Sequence, residues 1–178
     1  MRTFVAIFPP PEVREEALSA ARLLRLGDRI RWVKAENFHL TLRFLGDVQE
    51  ENLDGVCAAL EKVCAGHAPF DIGLLGLGAF PSARRARILW AGVGEGSEQL
   101  RSLARGLDVA LASLGFEGEV LPYTPHFTLG RVRGRPARLE LPSGIGDYRF
   151  GAGSLELVES SLDPGGAAYK TMVSFVLG

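Results

Sequence analysis

Apolar positions along this chain change period several times, between the alternation of strands and the 3.6-residue repeat of helices. Thr3 to Phe8 is a short unbroken apolar run that reads as a buried strand, closed by Pro9, Pro10 and Pro11. Prolines in that place suit the first turn of a helix, and Val13, Ala17, Ala21 and Leu24 then line one helical stripe. Ile30 to Val33 and His39 to Leu45 read as strands, and Gly46-Asp47 interrupts the second. Leu53, Val56, Cys57, Leu60, Val63 and Cys64 form a second amphipathic helix. Phe70 to Phe80 and Arg87 to Val93 read as strands around a Pro81-Ser82 turn. A third helix carries Leu100, Leu103, Leu107, Ala110, Leu111 and Leu114 and ends at Gly115. A strand holding His126 and two late strands, Ser154 to Ser160 and Tyr169 to Leu177, complete the reading, with "DPGGAA" joining the last two.

Several strands follow one another directly. This order predicts an α+β domain with antiparallel pairing rather than a doubly wound parallel sheet. A length of 178 residues suits a single domain, 1–178, or one domain built of two similar lobes.

Composition narrows the function. The formal charge of −1 offers no global attraction to a polyanion, so binding of nucleic acid needs a local basic patch. The opening apolar run is shorter than a signal-peptide core, and no stretch is long enough to span a membrane. Cys57 and Cys64, two helical turns apart, are expected as buried thiols, which fits a reducing cytoplasm. With His67 they match no usual zinc pattern, so no metal is expected. The glycines form no phosphate-cradling loop, so no nucleotide cofactor is expected either.

The chemistry lies in a repeated signature. "NFHLTLRFLGDV" and "YTPHFTLGRVRG" both contain His-x-Thr-Leu, at His39 and His126, and the chain has three histidines in all. Alternation along a strand puts His39 and Thr41 on one face and Leu40, Leu42 and Phe44 on the other. The same rule pairs His126 with Thr128 against Phe127 and Leu129. A lone histidine on a strand is more often structural than catalytic. A given His acquires Thr and Leu at these offsets by chance on the order of one time in two hundred, so the duplication favours chemistry. Two imidazoles flanking one anion supply a base and an acid near neutral pH, and the two hydroxyls can donate to its oxygens. The histidines stand 87 positions apart, close to half the chain, which suggests one motif from each of two lobes.

These motifs resemble those of the two-histidine phosphoesterase superfamily, in particular its RNA 2′,3′-cyclic phosphodiesterase branch, also called 2′-5′ RNA ligase. "RTFVAIFPP", "RILWAGV" and "LVESSL…GGAAYK" resemble the same branch in the expected order. The resemblance implies two pseudo-twofold-related ferredoxin-like lobes with antiparallel sheets lining a central cleft. It also implies metal-independent opening of RNA 2′,3′-cyclic phosphate ends to 2′-phosphates, with the reverse 2′-5′ joining open to the same groups. His39 is then the general acid to the departing ribose oxygen and His126 the base for water. Thr41 and Thr128 hold phosphoryl oxygens. Arg131 matches the arginine of the family's second motif, a role that needs a bulge near Gly130, because strict alternation turns it away from His126. Arg43 shares the parity of His39 and is a weaker phosphate candidate.

Expected partners are RNA ends or small cyclic phosphates, bound by a monomer without membrane. Rival readings are an esterase for small cyclic phosphates and a non-catalytic RNA-binding module on the same fold. Arg84, Arg85 and Arg87, and Arg131, Arg133, Arg135 and Arg138, either follow an RNA backbone or form solvated loops. Phe4 and Tyr123 could stack a base, although core positions suit both better.

Overall fold

The computed structural model describes residues 1–118, 120–164 and 166–178. Three α-helices lie in chain order among nine strands: β1 (Arg2–Ile7), α1 (Pro11–Leu23), β2 (Ile30–Trp32), β3 (Leu40–Asp47), α2 (Leu53–Ala65), β4 (Phe70–Phe80), β5 (Ile88–Val93), α3 (Ser97–Ala112), β6 (His126–Val132), β7 (Arg149–Ala152), β8 (Ser154–Asp163) and β9 (Gly166–Val176). Every strand pairing among the described residues is antiparallel.

The sheet order is β7-β4-β5-β6-β3-β1-β8-β9, with β2 beside β6 on the same edge as β3 but farther along the strand. The order is symmetric about the β6–β3 joint. On one side β1 leads through α1 to its neighbour β3, and on the other β5 leads through α3 to its neighbour β6. The outer strands are exchanged along the chain: β4, from its middle, completes the β5–β6 half, and the β8–β9 hairpin returns to complete the β1–β3 half. Helix α2 links the halves and packs on α3 and β9. The result is the expected α+β arrangement of two related lobes.

One continuous core covers a single face of the sheet, joining Leu18 of α1, Leu60 of α2 and Leu103 of α3 to Leu40, Leu89, Leu129 and Leu157 of the strands. Each such side chain contributes roughly 1.5–3 kcal/mol when fully buried. Leu40 pairs with Phe127 at the joint, and behind this pair the rings of Phe38 and Phe127 stack at 5.1 Å. The variable residue of each His-x-Thr motif therefore pins the two lobes together.

Differences from the sequence reading are local. The late hairpin is longer than expected, because Ala167 and Ala168 pair with Leu162 and Ser161 instead of forming a loop. Small residues impose no packing demand, so they mark a turn without setting its length. Gly165 of that connection lies outside the described residues. Strand β7 was not anticipated; it is four residues long and pairs only with β4. Cys64 is buried, but Cys57 is only half-buried.

Candidate active site

The face of the sheet opposite the helices carries the two motifs. Register explains how they meet. Leu40 stands opposite Phe127, so the middle residues of the two motifs meet, and their neighbours His39, Thr41, His126 and Thr128 lie around that joint on the other face. Two imidazoles and two hydroxyls thus surround one point on the axis between the lobes, each held by an apolar back side: Leu40, Leu42, Phe127 and Leu129 are all buried.

The histidine rings are oriented by their own backbones. Nδ1 of His39 donates to the carbonyl of Asn37 at 2.8 Å, and Nδ1 of His126 donates to that of Thr124 at 2.8 Å. A carbonyl can only accept, so the proton is fixed on Nδ1 and Nε2 is left for chemistry in both rings. Nε2 of His39 accepts from the Thr41 hydroxyl at 3.0 Å. Tyr123 does not stack in the cleft; its hydroxyl donates to the Thr41 carbonyl at 3.0 Å and braces the motif strand.

Aromatic rings wall both imidazoles. His39 lies among Phe4 at 5.0 Å, Phe8 at 5.3 Å and Tyr169 at 5.2 Å. His126 lies beside Phe80 at 5.0 Å and Trp90 at 6.0 Å. The Trp90 indole lies so close over Gly78 that a Cβ there would stand 2.1 Å from it, so only glycine fits. Burial among these rings disfavours the charged form. It lowers the His39 pKa to about 4, with the positive charges of His126 and Arg14 adding to the effect and the Asn37 carbonyl opposing it. His126 is lowered less strongly, by the same desolvation, against the opposing hydrogen bond to Thr124.

Two bulges decide what else faces the cleft. In β3 the ladder to β1 runs from Val5–Arg43 to Ala6–Thr41 and skips Leu42. In β6 the ladder to β5 runs from Leu89–Gly130 to Trp90–Thr128 and skips Leu129. The second bulge is the one Arg131 requires: it returns that exposed side chain to the cleft face. The first overturns two expectations. Arg43 faces the helices, 4 % exposed, with Nε 3.1 Å from Oδ1 of Asp108 on α3. Phe44, expected on the apolar side, instead projects into the cleft beside Phe4 and is 63 % exposed.

His67 sits after α2, with Nδ1 donating to the Val63 carbonyl, far from the motifs in the fold. Among the described residues no three His, Cys, Asp or Glu side chains converge so as to hold a metal. No helix among the described residues is long and apolar enough to cross a membrane. The sequence reading does not include the aromatic walls formed by Phe8, Phe80, Trp90 and Tyr169; only the shared parity of Phe4, on β1, and Phe8, just past its end, hints at them.

The chain is similar to known proteins over its whole length. Residues 7–90 match the family described as LigT-like phosphoesterase. The RNA 2′,3′-cyclic phosphodiesterase of Methanothermobacter thermautotrophicus is 34 % identical over 184 residues, covering 99 % of each chain. A crystal structure from Thermus thermophilus superimposes with a TM-score of 0.86 at 31 % identity, covering 99 % of this chain and 98 % of that one. Escherichia coli LigT, solved with 3′-AMP, gives a TM-score of 0.86 at 27 % identity, covering 99 % of this chain and 97 % of the other.

Proposed function

The chain belongs to the LigT-like phosphoesterases, and on that premise we propose that it hydrolyses RNA 2′,3′-cyclic phosphate ends to 2′-phosphates. The observation that carries the reading is the square of His39, Thr41, His126 and Thr128 around the joint between β3 and β6. A cyclic phosphate in that square meets a base on one side and an acid on the other. Water loses a proton to the base and attacks phosphorus, the bond from phosphorus to the ribose 3′ oxygen breaks, and the acid protonates that oxygen. The threonine hydroxyls donate to the non-bridging oxygens, where charge accumulates. With a 5′ hydroxyl in place of water, the same two proton transfers would join it to the cyclic end through a 2′-5′ bond. Abundant water favours hydrolysis.

The pair shares one proton in the active form. Burial depresses both rings, His39 to about 4 and His126 in the same direction. By the resemblance of the motifs, His39 is the general acid to the departing 3′ oxygen and His126 the base for water. Arg131 stands four positions along β6 from the joint, about 13 Å at the usual backbone rise, and its long side chain offers a guanidinium to the substrate's phosphates, that of the adjoining nucleotide among them.

The test is an RNA oligomer bearing a 2′,3′-cyclic phosphate, incubated in EDTA with wild type, His39→Ala or His126→Ala. Wild type should release a 2′-phosphate end, and each variant should lose about 10²–10⁴-fold in kcat. Activity abolished by the chelator and restored by added metal would reject this mechanism. So would a histidine variant with full activity.

A further inference from the structure

Two arginine runs lie far apart in the sequence, at 84–87 and 131–138, and neither contains an acidic residue. The fold brings them together. Ala86 donates to the carbonyl of Ala137 at 2.7 Å, and Ala137 donates back to Ala86 at 3.1 Å. Leu139 donates to the Ala83 carbonyl at 2.8 Å, and Val132 to that of Arg87 at 2.8 Å. These bonds fix both runs as one surface at the end of β5 and β6 where Arg131 emerges.

Arg84, Arg85, Arg87, Arg133, Arg135 and Arg138 are all exposed on it. None of them has an ion-pair partner among the described residues, whereas Arg43, Arg101 and Arg149 elsewhere are paired with carboxylates. Arg29 reinforces the patch from beside β2, donating to the carbonyls of Arg133 and Arg135. A merely solvated face would intersperse acids with these cations. On a chain whose formal charge is −1, so many unpaired guanidiniums in one place make a strong local field.

We infer that this surface binds the sugar–phosphate backbone of a single-stranded RNA whose cyclic end lies between the histidines. The inference rests on the proposed function. Guanidinium groups match phosphate geometry and gain from counterion release. The patch continues from Arg131, the cleft-facing residue already one nucleotide's length from the motifs, so the chain leading to the cyclic end has an unbroken cationic path. No aromatic ring is among the exposed members, so contacts fall on the backbone and are independent of sequence. The substrate is therefore a polymer end rather than a free cyclic nucleotide.

The experiment compares a single-stranded RNA oligomer ending in a 2′,3′-cyclic phosphate with a mononucleoside 2′,3′-cyclic phosphate. Wild type and the triple variant Arg84→Gln, Arg85→Gln, Arg138→Gln are assayed across a salt series. At low salt the wild type should turn over the oligomer with kcat/KM at least about tenfold higher than the mononucleoside. The triple variant should lose most of that advantage, keep the mononucleoside rate within about twofold, and flatten the logarithmic salt slope by about 2, from roughly 0.7 per phosphate contact. The pair Arg133→Gln, Arg135→Gln should act in the same direction. Equal wild-type turnover of both substrates overturns the surface alone, as does a variant that loses both activities equally or neither. Inhibition of the oligomer reaction by anionic vesicles or polyglutamate, at lower charge concentration than by RNA lacking the cyclic end, also overturns it by assigning the patch to those ligands. Failure of wild type to hydrolyse either substrate overturns the reading of the site itself.

Discussion

Phe44 and Arg131 are structural counterparts: each stands five residues after its motif histidine and is turned into the cleft by a bulge just beyond the motif threonine. Because β3 and β6 are antiparallel, the two residues mark opposite ends of the cleft. One end is aromatic and the other cationic. The pseudo-twofold symmetry that suits two proton shuttles is thereby broken where a substrate must be held in one direction. If the RNA leaves by the cationic end, Arg131→Ala raises KM for an RNA cyclic end about tenfold or more and leaves kcat nearly intact. Phe44→Ala changes KM by no more than about threefold. Steady-state kinetics on both variants decides the matter, and a larger KM effect at Phe44 would reverse the proposed polarity.

Arg43 illustrates a role that the alternation rule misassigns. The guanidinium is buried behind the sheet against Asp108, which is about a third exposed. Arg43→Leu should therefore destabilise the fold, by about 1–3 kcal/mol once the exposure of Asp108 is allowed for. That corresponds to a drop in Tm of several degrees for a chain of this size. The kcat/KM of the folded fraction should stay within about twofold of wild type. Thermal melts beside active-site-normalised kinetics test this. An unchanged Tm with a hundredfold loss of rate would return Arg43 to the phosphate.

The contrast between the two bulges shows what a single sequence can and cannot carry. Period-two alternation placed His39 with Thr41 and His126 with Thr128, because side-chain parity is a local property of a strand. The need for a bulge before Arg131 was legible for the same reason: its position conflicted with its chemistry. The bulge at Leu42 had no such conflict to announce it. It arises from how β3 meets β1, an arrangement of partner strands, and it reversed the faces of Arg43 and Phe44. Long-range assembly was equally silent. Tyr169 reaches His39 from β9, and Phe80 and Trp90 reach His126 from β4 and β5, each recruited by strand order. The meeting of Ala86 with Ala137 likewise fuses two arginine runs that look like unrelated loops in the sequence.

The imidazole pair should give bell-shaped kinetics displaced toward acid. In the free enzyme, one imidazole of the pair must be neutral, so kcat/KM falls as pH drops through about 4. The other must be protonated, so the alkaline limb lies below the ordinary 6.5 of an imidazole. These limbs report the pair rather than either ring alone. A bound phosphate anion stabilises imidazolium and raises both values. The profile of kcat should accordingly lie at higher pH than that of kcat/KM. Profiles that coincide, or a kcat/KM optimum above about pH 7.5, would contradict the burial-driven shifts.

The same burial of His39 links catalysis to stability. Its folded pKa of about 4 lies below the ordinary 6.5, so the unfolded chain binds a proton more readily between those values. The stabilisation this difference supplies is fully present above pH 6.5 and is lost as pH falls through the folded value. The full window corresponds to about 3 kcal/mol. Replacing the ring by a group that does not titrate there, as in His39→Asn, removes this contribution. The carboxylates titrate alike in both proteins, so the difference between the two stability curves reports His39 together with its influence on His126. Urea melts from pH 7 to pH 4 should show the wild type losing stability more steeply than His39→Asn. Parallel curves would mean that His39 is already solvated in the free enzyme, and the displacement of the rate profile toward acid would fail with them.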